Sequence, residues 1–402
     1  MVPIGPNTTA DLFFQLTWHS PNVRHTDAYA GHAVNFWRDL LPRRVYADLM
    51  EHLPGDRLEW RLPPEELLGP ACAPDIRRLK RSQFNPQRIQ APRQSPAPGR
   101  FYPKGLLADV TNVFSENREP FRCIEADENL ILVDFGHPLA ANPVSLNMTV
   151  GTVSVKTDER GGGSHDWMQT ISRGVGMQAR WKDRPTDFFS EAPFARPDET
   201  PDDLFYAKPR LVQHIDDTAV EMVRQLYERF LFPGARVLDL MSSWDSHLPS
   251  GRNFNQVSAI GMNATELEKN KALSDFRVKD LNTDPALPYA TNHFDDVICT
   301  ASVEYLTDPW AVFAEAARVL RPGGHLIITF SNRWFPPKAI AIWTQLSEFE
   351  RMGLVLEYFH GTGAFSDLQT YSVRGLKRPR HDKYFGEIPF SDPVYAVWGQ
   401  KK

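Results

Sequence analysis

The spacing of apolar and polar positions changes character twice along this chain, and the changes divide it into three stretches. Up to about residue 155 the period is two. Short alternating runs such as Leu58 to Leu62, Leu130 to Asp134 and Ser145 to Val155 are separated by Pro, Gly and Asn, which predicts strands joined by turns. Val144, Leu146, Met148 and Val150 fall on one face of the last run, as in a half-buried strand. One helix is predicted at Pro42 to His52, where Val45, Leu49 and Met50 have helical spacing before Pro54-Gly55 ends it.

Between Asp158 and about Arg210 the periodicity fades. Gly161, Gly162 and Gly163 precede Trp167, Trp181, Phe188, Phe189 and Phe194, too apolar a set for a free linker. The stretch reads as a connecting segment packed against its neighbours, with the glycines as a hinge. No strand precedes them and no Lys-Ser/Thr follows, so they do not form a phosphate loop.

From Asp216 helical and strand periods alternate, which predicts a doubly wound sheet. A helix from Thr218 to Phe230 carries Val220, Val223, Leu226 and Tyr227 on one side and stops at Pro233-Gly234, before a first strand Arg236 to Leu240. Asp308 is an N-cap followed by Pro309, and Val312, Phe313, Ala316, Ala317 and Leu320 form the buried stripe of a second helix. The Pro322-Gly323-Gly324 turn leads into a strand His325 to Phe330, and Val394 to Trp398 is expected to pair with Leu354 to Phe359 as a final hairpin.

A chain of 402 residues is long enough for two or three domains. Its net charge of −5 gives no electrostatic reason to expect a nucleic-acid partner, and the basic cluster Arg77, Arg78, Lys80, Arg81 reads as a solvated face. Cys72, Cys123 and Cys299 are far apart, so neither a disulfide framework nor a Cys-x-x-Cys motif is present, which fits a reducing compartment. No signal-peptide pattern and no apolar run of membrane-spanning length is present, so a cytoplasmic protein without a membrane partner is expected. His19, His25 and His32 lack ligand spacing, and no metal site is predicted.

The ordered strand ends VLDLMSS, AIGMNATE, VKDLN, FDDVICTASVEYL and RVLRPGGHLIITF resemble those of the class I S-adenosylmethionine methyltransferases. The resemblance covers residues 210–402, in particular a subgroup of the type 11-like methyltransferases with the pattern DLMSSW-SHLP in the first loop. It implies an α/β fold with a Rossmann-like seven-stranded sheet, and S-adenosylmethionine as cofactor. Asp239 keeps the family's acid, while Met241 and Ser243 stand where glycines are usual. Ser242 with Asp245 is expected to form a capping box that leaves backbone N–H groups free for the methionine carboxylate. Asn263 stands where the family has an acid for the ribose hydroxyls. Its own pattern with Glu266 is a capping box, and the two roles can coexist. Asp280 would accept the adenine amino group beside the Leu281 amide, and Ser302 would face the sulfonium. The resemblance also gives Tyr305 as the residue orienting an acceptor and Glu304 as a proton acceptor. Asn332, Arg333 and Trp334 after the fifth strand, with Arg210 and His214 upstream, are the expected substrate contacts. The lack of glycine between Leu238 and Pro249 argues against a dinucleotide enzyme, whose pyrophosphate needs a glycine-rich first turn.

The segments PGDRLEWRLPPEELLGP, QFNPQ and ENLILVDFGHPLAANPVSLNMTVGTV resemble the SlyD-like branch of FKBP-type prolyl isomerases. This implies a mostly-β domain over residues 1–155 with an insert-in-flap subdomain at about 69–130, and 156–209 as the connection. Asp27 and Phe36 match groove positions, but Leu68 and Leu146, like Leu16, stand where aromatics are expected. Isomerase activity is therefore expected to be weak or lost. A substrate-docking or chaperone role remains, with a polypeptide as one kind of methyl acceptor. The alternative is a chaperone or isomerase-type binding protein whose methyltransferase-like domain is not catalytic.

Overall fold

The computed structural model describes residues 1–69, 72–89, 94–156 and 162–402. Gly161 of the predicted hinge, residues 157–160 of the connection, and residues 70, 71 and 90–93 of the predicted insert lie outside these. The chain forms two compact units, Met1–Ser190 with Phe349–Gly353, and Glu191–Glu348 with Leu354–Lys402.

In the first unit β1 (Thr8–Ser20) and β2 (Val23–Asn35) form a hairpin, β3 is Arg57–Leu62, β4 Ile76–Lys80, β5 Phe101–Pro103, β6 Pro120–Ala126, β7 Leu130–Asp134 and β8 Val144–Val155. One antiparallel sheet runs β2-β1-β8-β3 and a smaller one runs β4-β7-β6-β5. Strict alternation in β1 and β8 turns Leu12, Phe14, Leu16 and Trp18, with Leu146, Met148 and Val150, to the buried face. The smaller sheet closes over Phe84, Tyr102, Phe121, Ile131 and Val133.

The segment after β8 belongs to this core. Trp167, at the start of helix Trp167–Ser172, stacks on Phe14 with ring centroids 5.8 Å apart, and its indole N–H donates to Asp39 at 2.9 Å. Gly31 makes room for that indole, because a Cβ there would run into the Phe14 and Trp167 rings. Farther on, Gln178 donates to Asp27 at 3.3 Å, and Trp18 donates to the same carboxylate oxygen at 2.9 Å. Asp27, Phe36 and Leu146 are therefore interior residues, 2%, 3% and 0% exposed, and Leu68 is half-buried. The apolar face that alternation creates needs a cover, and the chain's own residues supply it.

In the second unit β9 is Arg236–Leu240, β10 Gln256–Gly261, β11 Asp275–Val278, β12 Phe294–Thr300, β13 Leu320–Phe330, β14 Phe365–Arg374 and β15 Val394–Lys401. Their order is β11-β10-β9-β12-β13-β15-β14, parallel through β13, with β15 antiparallel to both neighbours. The parallel strands are near-continuous apolar runs, as strands covered on both faces must be. Helix Asp217–Glu228 is capped by Asp216, whose carboxylate accepts from the Thr218 and Ala219 amides. Helix Pro309–Val319 is capped by Asp308 in the same way. After β11 the chain returns to the other side of β9, so the strand order reverses there and a crevice opens beyond the carboxyl ends of β9 and β12.

Two expectations fail in this unit. Leu354 to Phe359 is part of helix Glu348–Thr362, and the partner of β15 is Phe365–Arg374. The run LVLEYF is buried throughout, and a short continuous apolar run suits a buried helix as well as a strand. No helix begins at Ser242 either: residues 241–255 form an irregular loop after β9. Among the described residues no helix is long and apolar enough to cross a membrane.

Candidate active site

The crevice beside the switch point deepens into a cavity lined by the ends of β9 to β12 and by the segment before β9. Asp239, Met241, Ser242, Ser243, Asn263, Asp280, Leu281, Ser302, Tyr305, Arg210 and His214 all line it. The sequence thus brought most of its candidates to one place.

The first loop is tied down by side chains instead of a helix. Ser242 donates to Asp239 at 2.5 Å, Ser243 to Glu266 at 2.6 Å, and Asn270 to the Ser246 hydroxyl at 2.8 Å. Asp239 is buried, and burial pushes its carboxyl up to about 6 against the hydrogen bonds from Ser242 and Ser246. Met241 has φ 55 and Ala301, after β12, has φ 48, so both strand ends turn through the left-handed region. Met241 therefore keeps the backbone shape that a glycine favours. Gly261 at the end of β10 lets this loop come close, since a Cβ there would meet the Ser242 carbonyl.

Asp245 accepts no helix N–H. It takes the His247 amide at 2.9 Å, lies 3.2 Å from His247 Nδ1, and accepts from Gln213 at 2.7 Å and Arg224 at 3.3 Å. Burial works to raise the Asp245 carboxyl, but the bonds from His247 and Gln213 outweigh it and hold the group well below the usual carboxylate range.

Asn263 has both ends of its amide engaged. The oxygen caps helix Ala264–Lys269 through the Glu266 amide at 3.1 Å, and the nitrogen donates to the Tyr206 and Ala207 carbonyls. Glu266 does not reach back to complete a capping box. It accepts from the Arg210 amide and from Ser243, both at 2.6 Å, and lines the cavity. Asp280 accepts from the Asn282 amide at 2.9 Å and the Thr283 hydroxyl at 2.7 Å, which leaves lone pairs on both oxygens.

An aromatic wall faces the sheet. Tyr305 and Phe335 stack with centroids 6.0 Å apart, and the Arg210 guanidinium lies over the Phe205, Tyr206 and Phe335 rings at 4.7, 5.6 and 5.1 Å. The Tyr305 hydroxyl accepts from the Phe335 amide at 2.8 Å, and burial drives its ionisation far above the ordinary range, so it stays a phenol. Asp202 anchors the upstream segment: Arg196 reaches both its oxygens at 2.8 and 2.9 Å, and the fully buried Lys338 lies 3.1 Å away.

Four candidates are elsewhere. Glu304 is 1% exposed, hydrogen-bonds Tyr305 and does not line the cavity, because the tight turn Val303–Tyr305 sends it into the interior. Asn332 is exposed, Arg333 is held by Asp392 at 3.0 Å, and Trp334 is also outside the lining; Phe335 is the residue of that segment which enters it. Sequence reading missed His247, Glu266, Tyr206 and Phe335 as site residues. His247 stood in the SHLP motif and Glu266 three places after Asn263, so both carried a signal.

Residues 248–328 match the model of a methyltransferase domain. The chain is 36% identical over 118 residues to a ubiquinone biosynthesis O-methyltransferase of Xanthomonas oryzae pv. oryzae, covering 27% of this chain and 47% of that one. It is 28% identical over 137 residues to the methyltransferase GfsG of Streptomyces halstedii, covering 31% and 48%. The chain thus spans about half the length of these curated relatives. Among solved structures, a SAM-dependent methyltransferase from Aquifex aeolicus aligns with a TM-score of 0.31 at 18% identity, over 47% of this chain and 92% of that one. The stretch that matches a methyltransferase domain lies within the second unit, across its parallel strands.

Proposed function

We propose that the second unit binds S-adenosylmethionine at the switch-point cavity and transfers its methyl group to an acceptor. The observation that carries this reading is the convergence of Asp239, Glu266, Asp280 and Ser302, from the ends of four neighbouring strands or the segments that follow them, on one cavity. The residues fit the cofactor with one reassignment. Asp280 and the Leu281 backbone would hold the adenine, and the turn at Met241 to Ser243 would approach the amino-acid end. Because Asn263 is committed at both ends, the ribose hydroxyls would fall to the Glu266 carboxylate.

The cofactor, when bound, supplies an electrophilic methyl group on a sulfonium. The chain's own residues align and exclude water: Tyr305 and Phe335 form a rigid aromatic wall, and Arg210, held over it, narrows the entrance. Tyr305 orients an acceptor by hydrogen bonding and does not take a proton.

The first unit, in this reading, is a SlyD-like FKBP-type module spanning 1–155 with its insert at about 69–130, joined through 156–209 to the catalytic domain at 210–402. What supports it is an antiparallel sheet β2-β1-β8-β3 with a separate four-stranded sheet threaded between β3 and β8. Its role would be to dock or chaperone a polypeptide in a cytoplasmic setting, through a surface other than the filled groove.

The test is incubation of the whole chain with tritium-labelled S-adenosylmethionine, a small-molecule extract and unfolded polypeptide, followed by measurement of S-adenosylhomocysteine. Product formation supports the reading, and its absence with every fraction contradicts it. A second reading, a binding protein with a non-catalytic methyltransferase-like unit, is favoured by the occupied Asn263 and the missing helix after β9. Cofactor binding without turnover would be its mark.

A further inference from the structure

Within the proposed methyl-transfer reading, on which this step rests, we propose that His247 is the general base and Asp245 its positioning residue. The acceptor then carries its nucleophilic atom as a hydroxyl. Three independent features of the first loop converge on this pair. His247 lines the cavity while being only 9% exposed. Asp245 accepts the His247 amide, and its other oxygen lies 3.2 Å from Nδ1, an ion-pair distance at which the ring makes no hydrogen bond as it stands. The His247 Nε2 makes no hydrogen bond among the described residues and is not among the sealed polar atoms. A carboxylate charge this close to Nδ1 electrostatically favours a proton on that nitrogen and a bare lone pair on Nε2, the arrangement a base requires.

The backbone adds a separate sign. His247 has φ 51, a left-handed conformation that a side-chain-bearing residue keeps only where its surroundings fix it. Here they do. Asp245 is held from the other side by Gln213 and Arg224, and the neighbouring Ser246 is held by Asn270.

Three other candidates are poorly placed for the task. Tyr305 stays protonated, Glu304 is turned inward and does not line the cavity, and Glu266, which already accepts from Arg210 and Ser243, is given to the ribose. In the step, the acceptor oxygen bonds to the methyl carbon as the carbon–sulfur bond breaks and its electron pair stays on sulfur. The hydroxyl proton passes to His247 Nε2, and the resulting imidazolium is paired with Asp245.

Diethyl pyrocarbonate tests this without knowledge of the acceptor, because it acylates an accessible, unprotonated imidazole nitrogen. Peptide mapping of the native chain should find His247 modified at Nε2. S-adenosylhomocysteine at about ten times its dissociation constant should slow that modification about tenfold. In histidine-labelled protein, nitrogen NMR should show the Nδ1–H tautomer, and Asp245→Asn, checked by circular dichroism for an intact fold, should shift it. A native His247 that is unreactive, a rate unaffected by bound ligand, or a tautomer unchanged by Asp245→Asn would each overturn the assignment. Failure of S-adenosylhomocysteine to bind, read by calorimetry, would remove the methyl-transfer reading itself, a result distinct from a bound ligand beside an inert histidine.

Discussion

The Ser242 hydroxyl donates a hydrogen bond to Asp239 across 2.5 Å, from the turn that directly follows the strand bearing the carboxylate. That bond does not compensate for burial, which sets the carboxyl near 6 against an ordinary value of 3.8. Because the folded value is raised, stability is fully present below about 3.8 and falls as pH climbs to 6. The difference corresponds to about 3 kcal/mol. Urea unfolding of the native chain and of Asp239→Asn between pH 4 and 7 should diverge in slope over this interval. Parallel curves would show that Asp239 does not titrate there.

Met241 holds φ 55 at the mouth of the cavity. Replacement by glycine removes the strain at the cost of some apolar contact, so Met241→Gly should change stability by no more than about 1 kcal/mol. A β-branched residue suffers most in that conformation, and Met241→Val should cost about 1–3 kcal/mol. Denaturant midpoints of the two variants give the comparison.

Glu266 and Asn263 divide a task that the family resemblance assigns to Asn263 alone. Asn263→Ala should lower stability by about 1–2 kcal/mol through the lost cap. Glu266→Gln should instead weaken S-adenosylhomocysteine by about 1–3 kcal/mol, with a smaller effect on folding. Calorimetry and unfolding on both variants separate the roles, and the opposite ranking would return the ribose contact to Asn263.

Asp27 receives Trp18 and Gln178 in the interior of the first unit. Asp27→Ala leaves the Trp18 indole N–H buried and unpaired and should cost about 1–3 kcal/mol. The intact chain should not accelerate isomerisation of a prolyl peptide above its uncatalysed rate, which is tens of seconds or slower. Measurable acceleration would mean that the cover over Asp27 opens.

Local signals carried most of the second unit. The N-caps at Asp308 and Asn263 and the strands β9, β10, β12 and β13 follow from short-range pattern, and they brought Asp239, Asp280 and Ser302 together. The run Leu354 to Phe359 was misread because a fully buried helix has no polar face to reveal its period. Ser242 and Asp245 have the letters of a capping box, yet their oxygens go to Asp239 and His247. Asn332 to Trp334 missed the cavity by one residue, since which side chain enters it depends on how Arg333 pairs with Asp392, far away in sequence. The interior position of Asp27 depended on Gln178, which no periodicity links to it.

The central claim is that this cavity is an adenosine site, and calorimetric titration of S-adenosylhomocysteine into the native chain and Asp280→Ala tests it most directly. The account predicts one-site binding to the native chain, weakened by about 1–3 kcal/mol in the variant through the unpaired adenine amino group. No heat of binding at millimolar ligand, or equal affinity in the two proteins, would contradict it.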